Sequence, residues 1–409
     1  MSLAAVRRAE AAVLLHTYDR LPVLFRRGRG VYLYDENGRA YLDFLTGIGV
    51  NALGHGHPAI RRTLVAQGRR LLHVSNLFYH DYQAALARKL TRISGLDRVF
   101  FTNSGTEAIE GALKLARAYA RLNNPNGRKP RWRLLALDNS FHGRTFGALA
   151  ATGQAKYRAP FLPLMPGVRF VRFNDVRDLE KQFDSSVCAV LLEPIQGEGG
   201  IQPLRPAFLE RARALTRRHD ALLIADEIQC GLGRTGRWFA FQAYGVQPDI
   251  VTVAKPLAAG LPLGAILASE RVARAFHPGM HGTTFGGGPL ACAVGLAFLE
   301  TIERERLLVN VRRMGNYFRS RLGELQHRYD FIRTVRGMGL MLAMDLAFPG
   351  NDVVKQALSR GVVINCTHNT VLRFLPPYIL DRHHVDKVIS VLNSIFAQMQ
   401  AEKRSAATQ

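Results

Sequence analysis

Lys255 closes the run Ile250-Val251-Thr252-Val253-Ala254 and is the only lysine between Lys181 and Lys355. Burial penalises an ammonium, so a lysine ending a buried strand is paired, reaches out to water, or is held neutral as a nucleophile able to form an imine. On this residue alone the structural and chemical readings stand level. Asp226 tips the balance: it ends the similar run Leu222-Leu223-Ile224-Ala225, and a carboxylate at the carboxyl edge of a parallel sheet can face the crevice where such folds bind ligands. Pyridoxal phosphate uses both groups, a lysine for its imine and an acid that keeps the pyridine nitrogen protonated, so that the ring draws electrons.

Such a group also needs an anion site. Asn103-Ser104-Gly105-Thr106-Glu107-Ala108 supplies one where the strand Arg98 to Thr102 meets a helix from Glu107 to Leu122. Ser104 and Glu107 have capping-box spacing, which by itself explains no more than a well-capped helix. The N–H groups of Gly105 and Thr106, with the helix dipole, would nevertheless receive a phosphate. Ser140-Phe141-His142-Gly143-Arg144-Thr145 offers a flat ring and a fixed cation, and His281-Gly282-Thr283-Thr284-Phe285-Gly286-Gly287 offers hydroxyls in a glycine-rich turn.

Helical periodicity predicts helices over Glu107 to Leu122, Pro206 to His219, Pro289 to Asn310 and His384 to Ala401. Between them lie short apolar runs at Arg98 to Thr102, Leu134 to Leu137, Cys188 to Leu192, Ala221 to Ala225 and Ile250 to Ala254. Strands alternating with helices predict an α/β fold with a mostly parallel, doubly wound sheet in a large domain. Gly30 to Asp43 reads as a hairpin around Asn37-Gly38. After about residue 300, two long helices surround the segments Arg333 to Leu346 and Gly361 to Phe374, which predicts a smaller α+β domain.

Weaker matches fall away. The strand ending in Asp226-Glu227 resembles the magnesium-binding strand of P-loop ATPases, but no GxxxxGK[ST] occurs. Gly231 to Gly236 spells GxGxxG yet leads into Trp238-Phe239-Ala240-Phe241 and not into a clean helix. His55-Gly56-His57 and His383-His384 lack further ligands at metal spacing, so no metal is expected. The 409 residues are 47% apolar and 21% charged, with a mean hydropathy of -0.03, which fits a globular protein with a large core. No apolar run reaches the ~20 residues of a membrane span. The N-terminus lacks a signal-peptide pattern, and Cys188, Cys230, Cys292 and Cys366 show no CxxC pairing, so a reducing cytoplasm is expected. Fifty-five basic residues against 32 acidic ones give a net charge of +23. The arginines are spread along the chain with only short clusters such as 128 to 133 and no interleaved aromatics, which argues against a nucleic-acid role. A basic nucleic-acid-binding protein on a degenerate enzyme fold is the distant alternative.

Together the motifs resemble the class III, subgroup II aminotransferases of fold type I, over nearly the whole chain from Tyr18 to about Leu392. NSGTEA at 103, FHGRT at 141, EPIQGEGG at 193, DEIQCGLGRTG at 226, PDIVTVAKPLAAGLPLGA at 248 and HGTTFGGGPLA at 281 follow that family's order and spacing. Gly288 and Ile109 depart from it, each standing where Asn is common. The resemblance implies an N-terminal segment, 1–55, joining the small domain, a large pyridoxal-phosphate-binding domain, 56–300, and a C-terminal small domain, 301–409. It implies that Lys255 is the imine-forming lysine and proton shuttle and that Asp226 partners the pyridine nitrogen. Gln229 would contact the phenolic oxygen, Phe141 would stack on the ring, and Glu227 and Ile228 would belong to the same cofactor set. Gly105 and Thr106 would hold the phosphate, with Thr284 arriving from the second subunit of a homodimer with shared sites. For substrate it implies Arg144 on a carboxylate, Thr283 in the same pocket, Tyr18, and a Glu198–Arg373 pair that opens for a dicarboxylate. The implied activity moves the distal amino group of N2-acetylornithine to 2-oxoglutarate in arginine biosynthesis, with succinylornithine, ornithine or 4-aminobutyrate as alternative donors. Ile48 stands where the ornithine-specific branch places Tyr, and leaves apolar room for an acyl group.

Overall fold

The computed structural model describes residues 1–123 and 131–407. Its largest sheet has seven strands, in the order Arg98–Thr102, Gly264–Ala268, Ile250–Val253, Leu222–Asp226, Val187–Leu192, Arg133–Leu137, Val168–Val171. Neighbours are parallel except around Gly264–Ala268, which runs antiparallel to both of its partners. This is the expected doubly wound α/β sheet with one inverted strand. All six residues of Val187–Leu192 are buried, as a strand covered by helices on both faces requires, and this is why it reads as unbroken apolar sequence.

The helix after the first of these strands spans Gly105–Leu122. Ser104 Oγ accepts the Glu107 N–H at 3.3 Å. The Glu107 carboxylate returns not to the N–H of Ser104 but to Asn103, taking its N–H at 2.7 Å and its Nδ2 at 3.0 Å, so the expected box is shifted by one residue. Ala108, Ile109, Ala112, Leu113, Ala116 and Tyr119 form its buried face. Each large side chain there stabilises by about 1.5–3 kcal/mol, and truncating Leu113 to Ala would cost about 2–5 kcal/mol because the sheet behind it cannot collapse into the gap.

One expected helix is two. Pro289 to Asn310 breaks into Pro289–Arg304 and Leu307–Arg328, because Arg306 takes a left-handed conformation with φ 52° and its N–H turns back to the Glu303 carbonyl. The apolar period carries on through the break, since Leu307, Val311 and Met314 are also buried. The hairpin forms as expected: Tyr32–Asp35 pairs with Ala40–Asp43, Gly38 has φ 80°, and Asp35 Oδ1 accepts the N–H groups of Asn37 and Arg39 at 2.9 Å each.

Towards the C-terminus, Ile332–Met338, Met341–Leu346, Val371–Phe374 and Asn365–Thr367 form an antiparallel sheet in that order, flanked in sequence by Leu307–Arg328 and Arg382–Ala407. Val362–Val363 pairs in parallel with Ala40–Asp43, so the N-terminal hairpin is sewn to C-terminal chain. Leu375 N–H donates to Phe44 O and Tyr378 N–H to Ala52 O, each at 2.7 Å. Among the described residues no helix is long and apolar enough to cross a membrane. The four cysteines are free thiols. Of the basic cluster at 128 to 133, residues 128–130 lie outside the described residues.

Candidate active site

The carboxyl ends of Leu222–Asp226 and Ile250–Val253 and the start of the helix Gly105–Leu122 open onto one cavity of about 440 Å³. Asn103 to Thr106, Phe141 to Arg144, Glu193, Glu198, Asp226, Ile228, Gln229, Lys255 and the turn 260–263 line it. Asp226 comes from the sheet because it is the last residue of its strand and pairs in register with Thr252 of the next. Lys255 lies two residues beyond Val253 on that next strand. The two functional side chains are thus delivered by adjacent parallel strands to the same end of the sheet, the carboxyl edge where open α/β sheets bind ligands.

Lys255 is half-buried, and among the described residues its Nζ makes no hydrogen bond or ion pair. Burial pulls its pKa below the ordinary lysine value, while the Glu198 and Asp226 carboxylates pull the other way. Asp226 is 4% exposed and fully engaged: His142 Nδ1 meets Oδ2 at 2.7 Å, the Ile228 N–H donates to Oδ1 at 3.1 Å, and the Thr252 hydroxyl donates to it at 3.3 Å. With its orientation fixed, this carboxylate can hold a positive charge at a defined place in the cavity.

On the neighbouring side, Arg373, 1% exposed, forms an ion pair with Glu198. Its Nη1 also reaches Gln229 Oε1 at 3.3 Å, and its Nε donates to Asn365 Oδ1 at 3.1 Å. Thr367 Oγ1 donates to the Glu198 carbonyl at 3.0 Å. Burial would raise the Glu198 pKa, but the Arg373 charge and hydrogen bond outweigh it and hold the carboxyl below its usual range. Arg144, at the exposed mouth, has its guanidinium 3.9 Å from the centre of the Tyr157 ring and 5.6 Å from that of Phe141. A cation stacked on ring faces keeps its N–H edge free for a carboxylate.

Not every expected residue is here. The Glu227 carboxylate faces away from the cavity and accepts the N–H groups of Ala240 at 2.9 Å and Phe241 at 2.8 Å. It follows Asp226 in extended chain, where successive side chains point to opposite sides, so it caps a distant turn and does not touch the cavity. Tyr18 lies beside the N-terminal helix Leu3–Val13, 73% exposed. Within one chain Thr284 is exposed and outside the cavity. Thr283 touches it only indirectly, its Oγ1 accepting from Asn103 Nδ2 at 3.1 Å. Ile48 sits in a left-handed turn with φ 65°, two residues before the lining residue Val50.

His142 and Glu193 are titratable cavity residues that sequence reasoning missed, as it did the turn 260–263. His142 adjoins Phe141 in the same motif, and Glu193 directly follows the strand Val187–Leu192 beside that of Asp226, a signal close to the one that singled out Asp226. The Glu193 carboxylate accepts the N–H groups of Phe141 and Gly197 at 2.9 Å each, and burial pushes its pKa up to about 7. His55 and His57 have local duties, His55 Nε2 meeting Asp43 Oδ2 at 2.8 Å and His57 Nδ1 accepting the Ala59 N–H at 3.3 Å.

A half-buried lysine beside an oriented aspartate, at the crevice of a doubly wound sheet and next to a helix N-terminus with free N–H groups, defines the fold type I aminotransferases that use pyridoxal phosphate. The aminotransferase class-III family pattern matches residues 14–396, and the chain belongs to that family. It is 47% identical to the acetylornithine aminotransferase of Aquifex aeolicus over 383 residues, 93% of this chain and 99% of that protein. The acetylornithine aminotransferase of Methanocaldococcus jannaschii is also 47% identical, over 94% of this chain and 96% of its own. The solved ornithine aminotransferase of Toxoplasma gondii superposes with a TM-score of 0.93 at 34% identity, covering 98% of this chain and 96% of that one.

The cavity fits the family's cofactor. The N–H groups of Gly105 and Thr106 have no acceptor among the described residues. A Cβ on Gly105 would come within 2.9 Å of the Ile228 side chain, so only glycine leaves the helix start this close to the cavity wall. His142 Nε2 is buried without a partner, while its other nitrogen holds Asp226.

Proposed function

We propose that this chain transfers the distal amino group of N2-acetylornithine to 2-oxoglutarate, giving N-acetylglutamate 5-semialdehyde and glutamate, as a step of arginine biosynthesis in the cytoplasm. The observation that carries this reading is the buried Arg373 paired with Glu198, which lines the Lys255 cavity. The near full-length similarity to two acetylornithine aminotransferases supports it. The amine carbon of acetylornithine carries no adjacent carboxylate, whereas 2-oxoglutarate has one beside its reacting carbonyl. A cation masked by a carboxylate suits both, being hidden from the first and available to the second.

In this reading Gly105 and Thr106 hold the cofactor phosphate through their N–H groups, Phe141 flanks the ring and Gln229 its phenolic oxygen. When bound, pyridoxal phosphate supplies an electron sink for the carbon that loses its proton. Asp226, fixed by His142, Ile228 and Thr252, keeps the pyridine nitrogen protonated. Lys255 Nζ would take the proton from the substrate carbon and hold it for the 1,3 transfer. Its lowered pKa, set by burial, leaves more of the neutral amine that such a base needs. Arg144 binds a substrate carboxylate at the mouth. Thr283 and Tyr18 contribute to the substrate pocket, and Thr284 reaches the partner's phosphate across a homodimer interface. The exposed apolar side chains Leu77, Phe78, Tyr79 and Phe285 support such an interface, because a patch of this kind is costly in water.

The test is a donor screen: purified protein loaded with pyridoxal phosphate, 2-oxoglutarate as acceptor, glutamate measured. Acetylornithine should exceed ornithine and 4-aminobutyrate by at least about tenfold in kcat/KM, a margin of about 1.4 kcal/mol. A preference for ornithine would replace this reading with the ornithine-specific one.

A further inference from the structure

Glu110 lies on the helix Gly105–Leu122 and its Oε1 accepts three hydrogen bonds, from Thr145 Oγ1 at 2.5 Å, Gly147 N at 2.9 Å and Ala148 N at 3.1 Å. The two amides belong to the first turn of the short helix Phe146–Ala151, whose own N-cap residue, Thr145, makes no side-chain cap bond. A carboxylate from another helix therefore does the capping, and this frees the Thr145 hydroxyl to face elsewhere. Gly147 is required for the approach, since a Cβ there would sit 2.3 Å from Glu110 Oε2.

Hydrogen-bond directions follow from proton counting. Glu110 Oε1 accepts from Thr145 as it does from the two amides, so the Thr145 hydroxyl is the donor. That hydroxyl has one proton, so in its 2.8 Å contact with Thr106 Oγ1 Thr106 is the donor. Thr106 Oγ1 in turn accepts the N–H groups of Arg144 at 3.2 Å and Thr145 at 3.3 Å. The chain Glu110, Thr145, Thr106 thus ties the loop that carries Phe141 and Arg144 to the helix start that carries the phosphate-type N–H groups. It also commits the Thr106 hydroxyl proton to Thr145, and the Thr106 backbone N–H remains to meet an anion.

We infer that Glu110 is a positioning residue which sets Arg144 and Phe141 against the phosphate end of the cavity. The inference rests on the aminotransferase reading for its kinetic consequence and on the geometry alone for its structural one. The experiment compares Glu110→Ala, Glu110→Gln and Thr145→Val with the unchanged protein, each loaded with pyridoxal phosphate, by peptide-resolved hydrogen exchange and by steady-state kinetics.

In Glu110→Ala, exchange over 141–148 should quicken by about tenfold or more while the rest of the chain keeps its rates. KM for the carboxylate substrates should rise about tenfold, with kcat within about threefold. Glu110→Gln, whose amide oxygen can accept the same bonds, should restore most of both, and Thr145→Val should loosen the same segment without touching the capped amides. Unchanged exchange over 141–148 in Glu110→Ala and Thr145→Val would overturn the inference. So would a uniform loss of protection with KM unchanged. Should the unchanged protein transfer no amino group from any donor, the functional reading fails, and the exchange data still decide the role of Glu110.

Discussion

Glu198→Gln keeps the shape of the side chain that masks Arg373 and removes its charge. In the structure Arg373 is 1% exposed and holds three acceptors, Glu198, Gln229 and Asn365. After the substitution the two neutral contacts and a neutral amide oxygen remain, so Arg373 loses the difference between a charge-assisted and a neutral hydrogen bond. That difference is about 1–1.5 kcal/mol, or roughly tenfold in an equilibrium. Removing the side chain outright would cost about 3–5 kcal/mol by leaving a buried charge unpaired, which is why Gln is the better probe. The two halves of the reaction should respond oppositely. A carboxylate of 2-oxoglutarate replaces the lost charge, so the aminated enzyme should bind it at least as tightly. Acetylornithine should now bind by its own carboxylate in the wrong direction, and productive amine donation should weaken about tenfold. Single-turnover absorbance measures each half separately. Equal weakening of both would reduce Glu198 to a structural role, and no change in either would refute the masking argument.

Asp226→Asn should retain pyridoxal phosphate but lose turnover by orders of magnitude, because an amide cannot keep the pyridine nitrogen protonated; near-normal kcat in a folded variant would mean that the ring faces another way. Mixing Lys255→Ala with Thr284→Ala under verified subunit exchange should restore about one working site per mixed dimer, and no recovery would show that each chain is self-sufficient. The Glu227 pKa is pushed up to about 7 by burial, above its unfolded value of about 4.3. The folded state therefore holds an extra proton in the window between these values, and this group's contribution to stability falls as pH rises through it. Melting temperatures of Glu227→Gln should thus gain on the unchanged protein between about pH 4.5 and 7; a constant gap across that window would contradict the assignment.

How far the sequence was legible depends on what kind of signal each residue leaves. Buried strands announce themselves, and Arg98–Thr102 and the runs ending near Leu137, Leu192 and Asp226 fall within a residue of their observed bounds. The strands Gly264–Ala268 and Val168–Val171 were not among those expected, and the apolar run of the first carries no mark of its inverted direction. The break at Arg306 was hidden because arginine is an ordinary helix former and the apolar period continues past it. Within the cavity, residues marked by an end-of-strand position or a motif were found: Lys255, Asp226, Phe141, Arg144, Gln229, Glu198. Glu227 was misplaced although strand alternation alone predicts that it points away from Asp226. Glu110 left no local trace, because its partners lie 35 to 38 residues further along the chain.

The central claim is that Lys255 is the residue to which the cofactor binds covalently. Borohydride reduction of the protein loaded with pyridoxal phosphate, followed by proteolysis and mass spectrometry, tests it without any assumption about substrate. The account predicts a single modified peptide, carrying the label on Lys255, where burial has lowered the amine pKa beside Asp226 and Glu198. A label on Lys114 or Lys156 instead, or none after demonstrated cofactor binding, would contradict it.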